Sequence, residues 1–427
     1  MSKWVHTTLQ DICCPEKGSI ISGPFGSNIS SKFFVDKGVP VIRGNNLSLS
    51  LDKFYDDGFV FVSKEKADEL NCYALEGDLL FTGAGTIGQV GILEAPLKYE
   101  KYVISNKQLR ARLDAKKVDR LYAYYWFSSA WMQDYFIRNN KGSTVPLISL
   151  SELKDAPISY PEDVSEQRQI VAVIEALSRK IETNRSICTD LESMAKTIYD
   201  YWFTQFDFPD ADGKPYRSSG GAMVWNDQLQ RKIPKGWEVG TINNLMHTEN
   251  TSVNPKKLGK TVMEHYSIPA FDADHHPAYE EASTIESNKY AVDPECILTS
   301  KLNPHFKRLW DPFSDTENAI CSTEFIVYRP RTSWTRPFCY AVLDSDAFYV
   351  HMSSKATAST GSRKRIQPDV SASFELPIPD ENTMRSFVEL YGPIMEKQKA
   401  LYKENRELTK LRDCLLPMLM NGQATVE

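Results

Sequence analysis

The feature that most restricts the fold is an internal repeat, in which a segment rich in short strands is followed by a long heptad helix and the pair then recurs. The matching positions are Trp4, Leu9 and Ile12 with Trp237, Ile242 and Leu245, Gly142-Ser143 with Gly361-Ser362, and Pro157-Ile158 with Pro377-Ile378. The number of residues that separates matching positions varies slightly from pair to pair. Insertions and deletions in surface loops produce such variation between duplicated domains. The repeat predicts two similar halves, each followed by a helix.

Hydrophobic residues alternate at spacings of four and three along two segments, 166–203 and 381–421. Such spacing over more than three heptads predicts a coiled coil. The predicted interface residues are Ile170, Ile174, Leu177, Ile181, Asn184, Leu191 and Ile198 in the first helix and Phe387, Ile394, Leu401, Asn405, Leu408 and Leu415 in the second. Two separate amphipathic core helices are the alternative, because Gln398 and Arg412 interrupt the second pattern.

Chain connectivity favours antiparallel pairing of these helices. At about 1.5 Å per residue the first helix is expected to be roughly 57 Å long, and the second strand-rich segment follows it closely and leads directly into the second helix. A pseudo-twofold axis then places Asn184 opposite Asn405. A buried asparagine pair can fix the register of a coiled coil, although two unrelated polar positions are an equal alternative.

The predicted fold class is α+β. Two domains of mixed helix and strand are joined by two long helices that form an antiparallel coiled coil. The predicted division is a first domain at 1–163, a first helix at 164–205, a linker at 206–235, a second domain at 236–380 and a second helix at 381–422. The linker is rich in Pro, Gly and Ser, which is typical of turns. One helical stretch from Asp119 to Asn139 is expected to pack on the first sheet.

Composition excludes several classes of protein. No apolar run is long enough to cross a bilayer, and the N-terminal residues lack a signal-peptide hydrophobic stretch, so we expect a cytoplasmic protein without a membrane partner. The eight cysteines are scattered without metal-ligand spacing, so no metal site is expected. The net charge of −6 means that nucleic-acid binding would depend on local basic loops, such as those at 98–120 and 353–368.

Two motifs that suggest catalysis do not fit their context. The Gly83–Gly88 segment has the spacing of a dinucleotide-binding loop, but a second strand follows it where that loop needs a helix. The Asn303–Phe306 segment resembles the Asn-Pro-Pro-aromatic motif of amino-methyltransferases, but its third residue differs and it aligns with the glycine turn of the first half. We therefore predict no catalytic residues.

Several segments resemble the specificity subunits of type I restriction-modification systems. They are Gly142-Ser143-Thr144, Leu147, Leu150, Pro157 and Glu166-Gln167-Arg168-Gln169-Ile170, and in the linker Asp207-Phe208-Pro209, Gly213-Lys214-Pro215-Tyr216, Ser218-Ser219-Gly220-Gly221 and Ile233-Pro234-Lys235-Gly236-Trp237. The resemblance spans the whole chain. In the second half, the position of the family's Glu-Gln motif is occupied by Thr383-Met384-Arg385-Ser386-Phe387. The surface on which the second half would bind a partner subunit is therefore expected to differ in detail.

The resemblance implies a non-catalytic subunit that reads a two-part site in double-stranded DNA. It also implies two methyltransferase subunits docked on the helices and endonuclease (translocase) subunits added for cleavage, in a bacterial or archaeal cell. Adenine methylation with S-adenosylmethionine and cleavage with ATP and Mg would belong to those partners, and this chain would hold no cofactor of its own. The alternatives are a stand-alone DNA methyltransferase or nuclease, and a coiled-coil scaffold that binds protein.

Loop residues with amide, hydroxyl or cationic groups are the candidates for DNA contact, because such groups reach base edges and phosphates. In the first half they are Arg43, Asn45, Asn46, Thr86, Gln89, Lys107, Ser143 and Thr144, and in the second Asn303, His305, Lys307, Arg308, Arg363, Lys364 and Arg365. Each has an alternative role as a turn former or a solvated charge. Arg363–Arg365 is the favoured group because it follows Gly361-Ser362, the counterpart of Gly142-Ser143.

Overall fold

The computed structural model describes residues 3–142, 144–360 and 363–426. It divides into two compact units, the first comprising Met1–Ile181 with Glu407–Glu427 and the second Glu182–Arg406. Both units mix helix and strand, so the predicted α+β class is confirmed. The five-part division into domains, helices and linker remains a prediction.

The first unit contains eleven described strands and five short α-helices before its long helix. The strands are β1 Trp4–Thr8, β2 Ile20–Ser22, β3 Phe34–Val35, β4 Val39–Ile42, β5 Val60–Val62, β6 Tyr73–Ala74, β7 Leu79–Thr82, β8 Val90–Ile92, β9 Tyr102–Ile104, β10 Gln108–Ala111 and β11 Pro157–Pro161. The helices are α1 Leu9–Ile12, α2 Lys64–Leu70, α3 Arg120–Ser128, α4 Ala130–Arg138, α5 Leu150–Lys154 and the long α6 Val164–Tyr199, whose residues from 182 onward belong to the second unit.

The strands of the first unit form three sheets. A two-stranded sheet pairs β1 with β11, a four-stranded sheet has the order β2-β10-β7-β8, and a five-stranded sheet has the order β3-β5-β4-β9-β6. Helices α3 and α4 pack on the four-stranded sheet through buried aromatic rings, among them Phe81, Phe127 and Phe136. The single helix predicted from Asp119 to Asn139 is wrong, because Ser129 adopts an extended backbone conformation between α3 and α4.

The second unit repeats this plan. Its strands are β12 Met223–Asn226, β13 Arg231–Pro234, β14 Glu238–Thr241, β15 Met246–Thr248, β16 Ser252–Val253, β17 Val262–Tyr266, β18 Ala278–Glu281, β19 Lys289–Ala291, β20 Ile297–Ser300, β21 Leu309–Trp310, β22 Ala319–Ser322, β23 Phe325–Pro330, β24 Thr357–Thr360, β25 Arg363–Arg365 and β26 Glu375–Ile378. Its helices are α7 Ile242–Leu245, α8 Ile268–Asp274, α9 Arg336–Asp344, α10 Asp346–Lys355, α11 Pro368–Ala372 and the long α12 Glu381–Met420.

The sheet orders show that the duplication predicted from sequence is present in the fold. The second unit pairs β14 with β26, and its four-stranded sheet β15-β23-β20-β21 matches β2-β10-β7-β8 of the first unit strand for strand. In the five-stranded sheets, β18-β17-β22-β19 matches β5-β4-β9-β6, each with one parallel pair at its centre. The fifth strand differs, because β3 lies beyond β5 whereas β16 lies beyond β19.

One detail of the predicted repeat is wrong. The first strands keep the predicted correspondence, and both are followed by a helix with a capping box, at Thr8 and Thr241. Thr8 pairs with Pro157 whereas Thr241 pairs with Glu375. The counterpart of Pro157 is therefore Glu375, two residues before the Pro377 that the sequence alignment indicated, because both sequences contain a Pro-Ile pair at different strand positions.

The two long helices pair antiparallel within each unit. In the first unit, Ile170 and Ile174 near the start of α6 share a core with Leu416 and Leu419 near the end of α12. In the second unit, Ala195 near the end of α6 shares a core with residues near the start of α12, among them Phe387 and Ile394. None of the predicted interface residues is exposed.

Candidate nucleic-acid interface

Four segments of the first unit meet around the turn that joins β7 to β8. The amides of Gly83 and Ala84 donate to the carbonyl of Lys107 at 2.8 and 3.3 Å. The amide of Gly85 donates to the carbonyl of Pro146 at 2.9 Å, and the amide of Ile148 donates to the carbonyl of Gly83 at 2.8 Å. The fourth segment joins through Gly23, whose amide donates to the carbonyl of Gln108 at 2.9 Å. We call residues 23–29, 83–89, 105–108 and 144–148 the first loop cluster.

The glycine-rich turn of this cluster is a β-hairpin turn, as predicted, because β7 and β8 pair antiparallel on either side of it. Gly85 and Gly88 have φ angles of 100° and 92°, a region that favours glycine. The turn presents Thr86 to solvent. Thr86, Lys107 and Thr144, which are distant in sequence, are exposed side chains of this one cluster, whereas Ser143 lies outside the described residues.

The loop after β4 borders this cluster, and it corrects one predicted contact. Asn46 is fully buried, and its side-chain amide donates to the carbonyls of Tyr55 and Asp57 at 2.9 and 2.8 Å while its oxygen accepts from the backbone of Arg43. Its polar atoms therefore hold the loop and are not presented to DNA. Asn45 is exposed, and the half-buried Arg43 donates to the carbonyl of Gly58 at 3.1 Å.

Gln89 also has an internal role. Its side-chain oxygen accepts from the hydroxyl of Thr82 at 2.9 Å, and its side-chain nitrogen donates to the carbonyl of Leu47 at 3.0 Å. These bonds connect the hairpin of β7 and β8 to the loop after β4. The predicted base contact of Gln89 is not supported, since both ends of its amide are already bonded within the chain.

Equivalent segments of the second unit meet around the turn that joins β20 to β21. The backbone amide of Asn303 donates to the carbonyl of Lys364 at 2.7 Å, and the Asn303 side-chain oxygen accepts from the Lys364 amide at 2.9 Å. We call residues 301–308, 322–324, 357–360 and 363–365 the second loop cluster. It confirms that the Asn303–Phe306 segment is the counterpart of the glycine turn, since β20 and β21 correspond to β7 and β8.

Within the basic run of β25 the three cations differ. Arg365 makes a two-point ion pair with Glu324, at 3.0 and 2.8 Å, which raises the pKa of Arg365 and lowers that of the Glu324 carboxyl. Arg363 and Lys364 are exposed. The ion pair positions Arg365 in the hairpin, and the predicted DNA contacts of Arg363, Lys364 and Arg365 stay predictions.

Three further candidates in the β20–β21 turn are engaged by carboxylates or by other protein groups. Arg308 donates twice to Asp272, at 2.6 and 2.8 Å, and this contact lowers the pKa of the carboxyl. Lys307 lies 2.7 Å from Asp344, whose pKa is nevertheless raised because burial outweighs the lysine. Asn303 is hydrogen-bonded to the backbone of Lys364 through both its amide and its side-chain oxygen. His305 and Lys307 are exposed, and the predicted DNA contacts of Asn303, Lys307 and Arg308 stay predictions.

Two aromatic residues that the sequence prediction omitted are exposed in the loop clusters. Phe25 is 84% exposed in the first, and Phe306 is 54% exposed in the second, with its ring centroid 4.2 Å from that of His305. The prediction selected only polar and cationic groups. An apolar residue between Pro24 and Gly26 could have been noticed, since a Pro-Phe-Gly sequence is a turn and does not fit a buried strand.

The predicted asparagine pair between the long helices is confirmed. Asn184 is fully buried, and its side-chain nitrogen donates to the side-chain oxygens of Asn405 at 2.9 Å and Glu404 at 2.8 Å. The two amides therefore lie on the same layer. Gln398, which interrupts the heptad pattern, donates to the backbone carbonyl of Cys188 at 3.4 Å, so its polar group is satisfied by the facing helix.

Among the described residues, no cluster of three His, Cys, Asp or Glu side chains could hold a metal ion. In the same part of the chain, no helix combines the length and apolarity needed to cross a membrane. The chemistry available in the loop clusters is hydrogen bonding, charge and aromatic contact.

Comparison with known proteins shows which family the chain resembles. Residues 1–193 match the family model described as the type I restriction modification DNA specificity domain. This part of the chain is similar to that domain. The match confirms the resemblance to specificity subunits that the sequence motifs indicated.

Relatives extend the similarity to most of the chain. The MjaIX specificity subunit of Methanocaldococcus jannaschii is 26% identical over 361 residues, which cover 82% of this chain and 78% of that protein. The HindI specificity subunit of Haemophilus influenzae is 22% identical over 395 residues, which cover 76% of this chain and 82% of that protein. The crystal structure of the Mycoplasma genitalium S subunit superposes with a TM-score of 0.57 at 14% identity, covering 98% of this chain and 96% of that one, and so shows the same fold.

Proposed function

We propose that the chain is the DNA-recognition subunit of a type I restriction-modification complex, with each loop cluster reading one part of a two-part duplex target. The observation that carries this proposal is the duplication. Corresponding turns of two copies of one fold present different exposed side chains, Thr86 and Lys107 in one and His305, Arg363 and Lys364 in the other. Different polar groups on equivalent scaffolds are what two unrelated half-sites require.

The long helices are the proposed docking surface for two methyltransferase subunits, to which endonuclease subunits would be added. Large apolar side chains are exposed on these helices, Met194 and Leu390 in the second unit and Leu411 and Met418 in the first. Exposed apolar residues on a helix that also packs in a core are typical of a surface that a protein partner covers. S-adenosylmethionine, ATP and Mg would serve those partners, and this chain would contribute no catalytic group.

The test is to co-express the chain with methyltransferase and endonuclease subunits of a type I system from its host and to map modified adenines in the host DNA. We expect methylation at one two-part sequence, lost when this gene is deleted and the other genes are kept. Methylation that continues unchanged in the deletion strain would contradict the proposal. Methylation of DNA by the purified chain alone would contradict its non-catalytic part.

A further inference from the structure

We propose that Phe25 stacks into a base step of the DNA half-site bound by the first unit, so that this unit recognises the local deformability of the duplex as well as base edges. This inference rests on the proposed function and adds to it a residue with a specific mode of contact. Its starting point is that Phe25 is the most exposed large hydrophobic side chain of the described residues, at 84%. Full burial of such a side chain would contribute about 1.5–3 kcal/mol, so its exposure needs an explanation.

The Phe25 ring is presented by a fixed loop. A Cβ on Gly23 would lie 1.8 Å from the carbonyl oxygen of Ser105, so the backbone approach at that position requires glycine. Pro24 restricts its own φ angle, and the carbonyl of Phe25 accepts from the amide of Asn28 at 2.8 Å. Ile29, only 6% exposed, anchors the far end of the loop in the core. A ring held in this way loses little conformational freedom when it binds.

The surroundings of Phe25 are complementary in charge to DNA. The four segments of the first loop cluster contain no Asp or Glu, and they include the exposed Lys107. Gly26 lies next to the side chain of Asn106, which is also exposed, with 3.2 Å between its ideal Cβ position and the Asn106 nitrogen. Asn106 thus lies beside the residue that follows Phe25, and Lys107 is the chain neighbour of Asn106. An apolar ring in an acid-free basic setting fits a nucleic acid better than a protein partner.

The chemistry of a phenylalanine ring beside a duplex restricts what it can do. It cannot donate a hydrogen bond to a base edge, but it can insert against a base pair and partly unstack it, as apolar side chains of DNA-bending proteins do. The energetic cost of unstacking depends on the base step, so such a contact discriminates between sequences without reading their edges.

The experiment uses the full chain in complex with its methyltransferase partner. The DNA is a duplex of the mapped target, in which 2-aminopurine replaces one adenine at a time within the half-site of the first unit. We expect the wild-type complex to raise the fluorescence at one step, which reports unstacking. Phe25→Ala should abolish that signal and weaken binding roughly tenfold or more, whereas Phe25→Trp should retain both. Ile137→Ala, which changes another exposed apolar residue of the first unit, should alter neither.

The outcomes are separable from those of the proposed function. A wild-type complex that selects no DNA sequence would remove the proposed function itself. A complex that binds its target but keeps the fluorescence change in Phe25→Ala would overturn the inference alone, whatever happens to its affinity. Reduced co-purification of the methyltransferase with Phe25→Ala would also overturn it, because the ring would then contact the partner protein.

Discussion

A buried ion cluster joins β7 and β10 near the ends of these strands that lie away from the first loop cluster. Asp78, 1% exposed, accepts two hydrogen bonds from Arg112 at 2.8 Å and one from the amide of Leu75, and it lies 3.5 Å from the guanidinium of the buried Arg110. Burial lowers the pKa of Arg110, whereas the bonds to Asp78 raise the pKa of Arg112. The carboxylate of Asp78 therefore compensates a guanidinium that has almost no access to water.

Replacement of Asp78 by Asn should be strongly destabilising. The substitution keeps the size of the side chain but leaves the Arg110 charge buried without its counterion, for which we expect a loss of about 3 kcal/mol. The measurement is the urea midpoint of the first unit, followed by hydrogen exchange of the amides of β7 and β10. Asp36→Asn removes an exposed carboxylate of the same unit outside this cluster and is the control. A midpoint that moves no further than that of the control would contradict the compensating role.

The corresponding site of the second unit uses a different arrangement. Cys296 precedes β20 as Asp78 precedes β7, and Arg329 binds Asp293 and Glu249 instead. The hydrogen bonds of Arg329 lower the pKa of the Glu249 carboxyl and, against the effect of burial, that of Asp293. A cation at this strand position is thus kept while the sequence position of its carboxylate changes.

At the level of elements, the start of α6 is fixed by one glutamine. Gln167 is fully buried, its side-chain oxygen accepts from the amide of Asp119 at 2.7 Å, and its nitrogen donates to the carbonyls of Pro161 and Lys117 at 2.8 and 3.2 Å. It therefore joins β11, α3 and α6. In the second unit the buried Met384 occupies the matching heptad position, so an apolar contact replaces this polar junction.

Replacement of Gln167 by Ala should lower the free energy of unfolding of the first unit by about 1–3 kcal/mol. The reason is that one backbone amide and two carbonyls would remain buried without their partner. Thermal unfolding of the full chain, with hydrogen exchange at the start of α6, measures the effect. Gln169→Ala changes an exposed glutamine two residues away and should have no measurable effect. Equal midpoints for the two variants would show that the junction does not depend on Gln167.

The asparagine layer between the long helices should contribute specificity of register more than stability. When both Asn184 and Asn405 are replaced by Leu, we expect a higher thermal midpoint and a less defined helix register. The register can be measured by cross-linking Cys188 to a cysteine introduced at Gln398, which face each other in this structure. Ser186→Leu adds an exposed leucine and should leave the cross-link unchanged. A double variant that cross-links as completely as the parent would contradict this role.

At the scale of the whole molecule, the periodic features could be predicted from sequence and the contacts between distant residues could not. Heptad spacing and the repeated strand patterns gave the long helices, the duplicated sheets and the asparagine layer. The internal partners of Asn46 and Arg365 were not predictable, because those partners lie on other loops. The sequence does not show whether a polar side chain is hydrogen-bonded within the protein or is exposed to solvent. Phe25 was missed because only residues with amide, hydroxyl or cationic groups were selected as candidates for DNA contact.

The two duplicated units expose different cations. We therefore predict that substitutions in one unit reduce selectivity for one half of the DNA target only. Lys107→Ala should remove a base contact of the first loop cluster, and Arg363→Ala with Lys364→Ala should remove base contacts of the second, because loss of a base contact relaxes the choice of base at its position. We expect substitutions in one half of the mapped target to be tolerated by the first variant and substitutions in the other half by the second. Methylation of a randomised target library by each complex measures this, with Lys232→Ala as an exposed-lysine control. Relaxation of the same bases by both variants would show that the two units do not read separate half-sites.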